Sequence, residues 1–113
     1  MSEFWIDEGC WITVLYDGDP NVSLARARVE PGVTTALHVL DVEERYVIER
    51  GSGTMTIGER TFTVEAGRSF LIPAGVAQRI CNEGTDDLVF LCICTPAFQP
   101  AGYRELEPFS SAR

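Results

Sequence analysis

Short apolar runs separated by turn residues dominate the chain, a pattern typical of an all-β sandwich or barrel rather than a helical or βαβ protein. Gly58 and Glu59 lie between two such runs and fit a two-residue hairpin turn. The last segment, residues 96–113, contains three prolines and predicts a short tail outside the barrel, with one helical turn over residues 103–106. Nine strands are predicted, over residues 10–16, 22–30, 34–40, 44–50, 53–57, 60–64, 69–73, 77–81 and 88–95.

Two of these strands differ in how they meet solvent. In residues 22–30, Arg26, Arg28 and Glu30 alternate with small and apolar side chains, which predicts one solvated face. Residues 88–94 are apolar at nearly every position, as in a strand that is covered on both faces. A second sheet plus a subunit contact, or an unusually deep core, would supply that cover.

Composition indicates one globular domain over residues 1–113, with 45% hydrophobic and 23% charged residues. The net charge is −8, and the nine basic residues are arginines scattered from Arg26 to Arg113. Phosphate binding needs concentrated positive charge, so we expect neither a nucleic-acid partner nor an anionic membrane surface. The chain has no membrane-length apolar run and does not begin as a signal peptide does, so a cytoplasmic location is predicted.

The four cysteines show no Cys-x-x-Cys spacing. Cys92 and Cys94 would share one face of a strand and could be neighbours. Free cysteine is also a common small core side chain, and we favour that interpretation.

Two stretches carry polar residues at fixed offsets around apolar strands. In the first, residues 32–51, strand periodicity places His38 and Leu40 on one face, and Glu44, Tyr46 and Ile48 on one face of the next strand. His38 and Glu44 can therefore converge inside a barrel. In the second, residues 67–82, Pro73 and Gly75 form a turn, and this turn places Gln78 in the strand that follows.

These stretches resemble the paired motifs of the cupin superfamily. The glycines, prolines and polar residues that match at the family spacing are Gly32, His38, Glu44, Gly51, Gly67, Pro73, Gly75 and Asn82. Two positions depart from the pattern, because Leu40 and Gln78 stand where the family has histidines. The resemblance implies a double-stranded β-helix, or jelly-roll, barrel with motif one at 32–51 and motif two at 67–82. The glycines, Pro73 and Asn82 are interpreted as turn-formers that specify this fold.

In metal-binding cupins, three histidines and the glutamate hold one divalent ion inside the barrel. Carried over by position, the resemblance implies His38, Glu44 and Gln78 as metal ligands, for Zn, Mn, Fe or Ni, with no other cofactor. A neutral amide is a poor donor, so the predicted affinity is lower than that of a full set. Three ligands leave coordination positions free, as in a catalytic site, and Tyr46 could assist from the second sphere.

Each candidate residue also has a plainer interpretation. His38 could be a hydrogen-bonded core residue, and Gln78 could satisfy His38 or a backbone group. A shifted register would leave Glu44 at the rim, although an inward carboxylate is costly unless a metal, a proton or a donor such as Tyr46 compensates it. The aromatic residues are favoured as core or interface side chains rather than as a substrate platform.

Three functions are compatible with this site. The first is a metal-dependent enzyme, either an oxygenase or isomerase-like, that binds a small molecule in the barrel. The second is a metal-free isomerase or epimerase in which Glu44 or His38 moves a proton and Tyr46 assists, so that Glu44 and Tyr46 are the catalytic candidates. The third is a non-catalytic small-molecule-binding or sensing module.

A homodimer is also predicted. A monomer would leave apolar surface exposed to water, because three segments carry more apolar side chains than one small domain can bury. These are the doubly apolar strand at 88–94 and the aromatic segments at 4–6 and 10–12.

Overall fold

The computed structural model describes residues 2–112, most of which lie in antiparallel strands. Within this range no helix is long and apolar enough to cross a membrane. The predicted all-β class is confirmed, and each of the nine predicted strands has a counterpart. The strands are β1 (Phe4–Ile6), β2 (Cys10–Asp19), β3 (Val22–Val29), β4 (Val33–Thr34), β5 (Leu37–Leu40), β6 (Glu43–Arg50), β7 (Ser52–Ile57), β8 (Arg60–Glu65), β9 (Ser69–Ile72), β10 (Gln78–Cys81), β11 (Leu88–Thr95), β12 (Tyr103–Glu107) and β13 (Ser110–Ser111).

The first sheet has the strand order β1-β2-β3-β11-β6-β9. Alternation along β6 follows the sequence expectation, because Glu44, Tyr46 and Ile48 are buried whereas Glu43 and Arg45 are exposed. Strand β11 lies at the centre of this sheet, between β3 and β6. Its predicted double cover is only partial, since one face enters the core and the other face is half-buried.

The second sheet has the strand order β12-β5-β10-β4-β13, and β7 joins it by pairing with β10 and β8. The turn at Gly58 and Glu59 connects β7 to β8 as predicted, with Gly58 at a φ of +59° and Ile57 paired with Arg60. Motif one spans β4 to β6 and motif two spans β9 and β10, so each motif contributes a strand to each sheet.

The prediction of a tail outside the barrel was wrong. Strand β12 pairs with β5, and β13 pairs with β4, so the tail extends the second sheet at two of its strands. The helical turn also lies earlier than predicted, as one turn of 3-10 helix at Pro100–Gly102. Unpaired edges of β5 and β4 offer backbone hydrogen-bond partners that the local sequence of the tail does not reveal.

The predicted strand at 34–40 is divided into β4 and β5. Between them, Thr35 bonds to Ile80 through both its backbone and its hydroxyl, and the Ala36 N–H donates to the Glu8 carbonyl at 2.8 Å. The strand is interrupted here because the backbone N–H groups of Thr35 and Ala36 bond to two different parts of the chain, Ile80 in β10 and Glu8 in the turn between β1 and β2. One consequence is that the turn between β1 and β2, which carries Glu8, is held against the second sheet.

Both sheets contribute side chains to the same hydrophobic core, and at its centre lie Ile48, Met55, Ile72, Ile80 and Phe90. The single domain predicted over 1–113 is described here except for residues 1 and 113, which lie outside the described residues. Asn82 is fully buried and bonds to three backbone groups. Its amide donates to the carbonyls of Val29 (2.9 Å) and Asp86 (2.8 Å) and accepts from the Gly84 N–H (3.0 Å).

Replacing Asn82 with alanine should lower the free energy of unfolding by about 2–4 kcal/mol, because it removes a buried hydrogen bond to Val29 and two partly buried ones to Asp86 and Gly84. Urea denaturation measures this change. The matched control is Asn21→Ala in the exposed turn between β2 and β3, for which we expect less than about 0.5 kcal/mol. Equal losses in both variants would show that the hydrogen bonds of Asn82 do not stabilise the fold.

Candidate functional site

The candidate residues come together where the two sheets face each other. His38 on β5 and Gln78 on β10 are register partners in the second sheet. Glu44 and Tyr46 lie on β6 in the first sheet, opposite Cys94 and Cys92 of β11. His38, Glu44 and Gln78 are 2%, 6% and 1% exposed, so Glu44 does not lie at the rim.

A chain of hydrogen bonds links Tyr46, Gln78, Glu44 and Cys94. The Tyr46 hydroxyl donates to the Gln78 side-chain carbonyl at 3.0 Å, and the Gln78 amide donates to Glu44 Oε1 at 3.1 Å. The Cys94 thiol donates to Glu44 Oε2 at 3.7 Å. Gln78 thus crosses from the second sheet to two side chains of the first, rather than satisfying His38. Its amide orients the carboxyl of Glu44 and the phenol of Tyr46.

His38 is held by its backbone neighbour and by the tail. Its Nδ1 lies 2.8 Å from the carbonyl oxygen of Ala36, and because a carbonyl only accepts, Nδ1 carries the hydrogen. Its Nε2, which carries no hydrogen in this tautomer, lies 3.7 Å from Oε1 of Glu8. The ring stacks on that of Tyr103 at a centroid distance of 5.1 Å and an interplanar angle of 18°.

Glu8 and Tyr103 are site residues that the sequence analysis missed. Glu8 lies in the turn between β1 and β2, and its side chain is 13% exposed. Tyr103 lies on β12, in the segment expected to lie outside the barrel. Neither position belongs to a motif, so no spacing along the chain could have identified them. Their approach to His38 depends on the bond between Ala36 and Glu8 and on the pairing of β12 with β5.

These side chains border a cavity of about 490 Å³. Its lining includes His38, Glu44 and Tyr46 but not Gln78, which lies behind them. Leu40 faces the cavity at the position where the cupin pattern has a histidine. Cys92 and Cys94 share the lining face of β11, as predicted, and all four cysteines are free thiols. The other lining side chains are mainly aliphatic and aromatic, and include Ile12, Leu24 and Phe98.

Burial sets the protonation behaviour of the site. It raises the pKa of Glu8 and of Glu44 to about 7, and the charge of Glu8 adds to the increase at Glu44. The hydrogen bond from Gln78 acts in the opposite direction, because it favours the ionised carboxylate. Burial also lowers the pKa of His38 and raises that of Tyr46 well above its usual range. Two carboxyl groups that change charge near neutral pH therefore share the cavity with a neutral imidazole.

The side chains of this cavity are poorly matched to a divalent metal. Both polar ends of the Gln78 amide are already engaged, by Tyr46 and Glu44, and Leu40 has no donor atom. Across residues 2–112, no three His, Cys, Asp or Glu side chains are grouped so that they could hold a metal ion. We therefore derive no chemistry from a metal at this site.

The model of the cupin domain matches residues 25–94, more than half of the chain. No curated protein matches the sequence. Among solved structures, a histidine-to-glutamine variant of a Streptomyces nucleoside dehydratase, solved with uridine, is similar with a TM-score of 0.82 and 16% identity, over 99% of this chain and 92% of that chain. The predicted double-stranded β-helix fold is thereby confirmed.

Two further structures share the fold. An uncharacterised conserved protein from Klebsiella pneumoniae, described as having a double-stranded β-helix domain, gives a TM-score of 0.78 at 17% identity, over 92% of this chain and 90% of that chain. Oxalate decarboxylase from Bacillus subtilis, studied for its Mn(II) centres, gives 0.77 at 25% identity. That match covers 88% of this chain but only 28% of the decarboxylase.

Replacing Glu44 with glutamine should stabilise the protein increasingly as the pH rises. A carboxyl whose pKa rises from 4.5 to about 7 on folding contributes stability that is complete below pH 4.5 and is lost as the pH passes through 7. The variant and the wild type should be equally stable near pH 4, whereas the variant should be more stable by about 1–3 kcal/mol near pH 8. Urea denaturation across this range measures the difference.

Glu59→Gln, in the exposed hairpin turn, is the control for the loss of one negative charge. Its stability relative to the wild type should not change with pH in this way. A constant difference between Glu44→Gln and the wild type from pH 4 to pH 8 would contradict the assignment.

Proposed function

The chain belongs to the cupin domain family, and from this premise we propose that its cavity binds a small organic molecule and exchanges a proton with it through Glu44. The observation that carries the proposal is the placement of Glu44, a buried carboxyl that lines a cavity of about 490 Å³ beside a neutral imidazole and a second carboxyl. The volume lies within the range of small-molecule sites. Carboxyls with a pKa near 7 are suited to both giving and accepting a proton at neutral pH.

In this proposal the reaction is an isomerisation or epimerisation. The Glu44 carboxylate accepts a proton from carbon or oxygen of the bound molecule, and a proton returns to the same or a neighbouring atom. Glu44 itself can return it, or the Glu8 carboxyl in its protonated form, which lies beside His38 Nε2, can supply it. The product has the same atoms as the substrate, so neither an oxidant nor a reductant is consumed.

The remaining polar residues act as positioning residues. The hydroxyl of Tyr46 is engaged by Gln78, so Tyr46 holds the amide that orients Glu44. Tyr103 stacks on His38 and limits the rotation of its ring. The Streptomyces dehydratase, which was solved with uridine, supports a small organic ligand for a cavity of this fold. Its identity to this chain is too low to transfer its substrate.

A metal-dependent reaction is the competing proposal. The Mn(II) centres of the Bacillus subtilis oxalate decarboxylase support it, since that structure shares this fold. The engagement of Gln78 and the absence of a donor at Leu40 weigh against it here. A non-catalytic sensing module, the third function expected from the sequence, would use the same cavity for binding alone.

Incubation in deuterated water with a panel of hydroxy ketones, aldoses and nucleosides should reveal proton exchange as the loss of a C–H signal by NMR. We expect exchange by the wild type, a loss of at least about 100-fold in Glu44→Gln, and a smaller loss in Tyr46→Phe, which keeps the ring and removes the donor. Elemental analysis after soaking in Mn, Zn, Fe or Ni should find well below one ion per chain.

Exchange that disappears on adding a chelator, with metal recovered from the protein, would favour the competing proposal. Binding of a panel member without exchange would favour the sensing module. Unchanged exchange in Glu44→Gln would exclude Glu44 as the group that moves the proton. The variants must retain the wild-type circular dichroism spectrum, so that loss of exchange is not loss of fold.

A homodimer is proposed separately. It is supported by the exposure of Phe4 (47%) and Trp5 (39%) on β1, at the edge of the first sheet, and by the half-buried outer face of β11. Light scattering at micromolar concentration should give twice the chain mass, and Trp5→Glu should shift it towards the monomer. A monomeric wild type would refute this proposal.

A further inference from the structure

The charged residues that line the cavity have one sign. Five carboxyl side chains border it, and among the described lining residues there is no arginine. The chain contains no lysine, and His38 has its pKa lowered by burial. A bound anion would therefore meet carboxyl groups without a cationic side chain to receive it. The five are Asp7, Glu8, Asp17, Glu44 and Glu105.

The two buried carboxyls also lack a partner with a permanent charge. Glu44 accepts from an amide and a thiol, and Glu8 lies 4.0 Å from the Cys10 thiol and 3.7 Å from His38 Nε2. The outer face of the first sheet is different, because Arg26 pairs with Glu49 at 2.7 Å. Burying a carboxylate without a cation is costly. Above about pH 7, where these carboxyls ionise, the cavity thus presents negative groups whose charge the described protein does not compensate.

Aromatic rings supply a second feature that suits a cation. Tyr46 and Tyr103 line the inner part of the cavity, and Phe4, Tyr16 and Phe98 lie around it. One face of Tyr103 stacks on His38 and one face of Tyr46 stacks on Phe90, so the opposite face of each ring is the one that could attract a cation. Aliphatic side chains such as Ile12 and Leu24 cover the rest and would contact an apolar group on the same ligand.

From this lining we propose that the cavity selects a compact organic cation, an ammonium group carried on a ring or short apolar chain, and rejects anions. The inference rests on the proposed function, because it names the class of molecule that the cavity binds. The ammonium group donates to the carboxyls of Glu44 and Glu8. The apolar part of the ligand packs against the aliphatic and aromatic lining.

Three probes of the same shape test this selectivity: benzylamine, benzyl alcohol and benzoate. Near pH 8 the amine is protonated and benzoate is ionised, so the probes differ mainly in charge. Titration followed by NMR or calorimetry should give benzylamine an affinity at least about tenfold above that of benzyl alcohol, and no measurable binding of benzoate. Glu44→Gln or Glu8→Gln should reduce the preference for the amine over benzyl alcohol to about threefold or less.

Two carboxyl variants are used because Glu44 lies in the core and its replacement could disturb the fold. Glu59→Gln, which removes the same charge from an exposed turn, should have the same affinity as the wild type for each of the three probes. Equal or tighter binding of benzyl alcohol or benzoate would overturn the inference while the proposed binding function stands. An amine preference that survives both carboxyl variants would also overturn it, and failure of all three probes would count against the proposed function as well.

Discussion

The side-chain amide of Gln78 joins the two sheets across the core, and the arrangement of the pocket depends on it. Its carbonyl accepts from Tyr46 and its N–H donates to Glu44, so both of its polar ends are satisfied at a position that is 1% exposed. An apolar side chain at this position would leave the buried phenol of Tyr46 without its acceptor and the buried carboxyl of Glu44 with only the Cys94 thiol, which costs more than a missing hydrogen bond at the surface. Packing of the two sheets and orientation of Glu44 are therefore coupled.

The same residue explains how a familiar fold carries a different set of polar groups. Gln78 and Leu40 occupy positions where the cupin pattern has histidines, yet Gln78 pairs with His38 across the second sheet and Glu44 pairs with Cys94 across the first. The glycines of the motifs and Pro73 form the turns, and those turns do not depend on which donors enter the pocket. The fold is retained while the pocket changes from a set of imidazoles to a carboxyl linked to an amide and a phenol.

The outer face of the first sheet carries arginines paired with carboxylates, whereas the cavity on its inner face is lined by carboxyls without an arginine among the described residues. Arg28 bonds to Glu3 at 2.7 Å and to Asp87 at 3.2 Å, which ties the start of the chain to β3 and the segment before β11. Each such exposed pair contributes little stability, about 0–1 kcal/mol. Their location nevertheless favours the position of β1 beside β2, and the turn between these strands brings Glu8 to the cavity. The arginines of these ion pairs therefore lie at the surface, whereas the acidic side chains at the cavity have no arginine beside them in its described lining.

The sequence by itself determined the all-β class, the hairpin at Gly58 and the inward direction of His38, Glu44, Tyr46 and Gln78. Each of these follows from local rules, since strand alternation sets the face of a side chain and turn chemistry sets where a strand ends. Only the tertiary structure decided which partners these side chains have. Glu8 and Tyr103 reach His38 from distant parts of the chain, and the tail adds strands to edges that its own composition does not specify. Such contacts depend on how the sheets pack, and periodicity along one strand carries no information about the element that lies opposite.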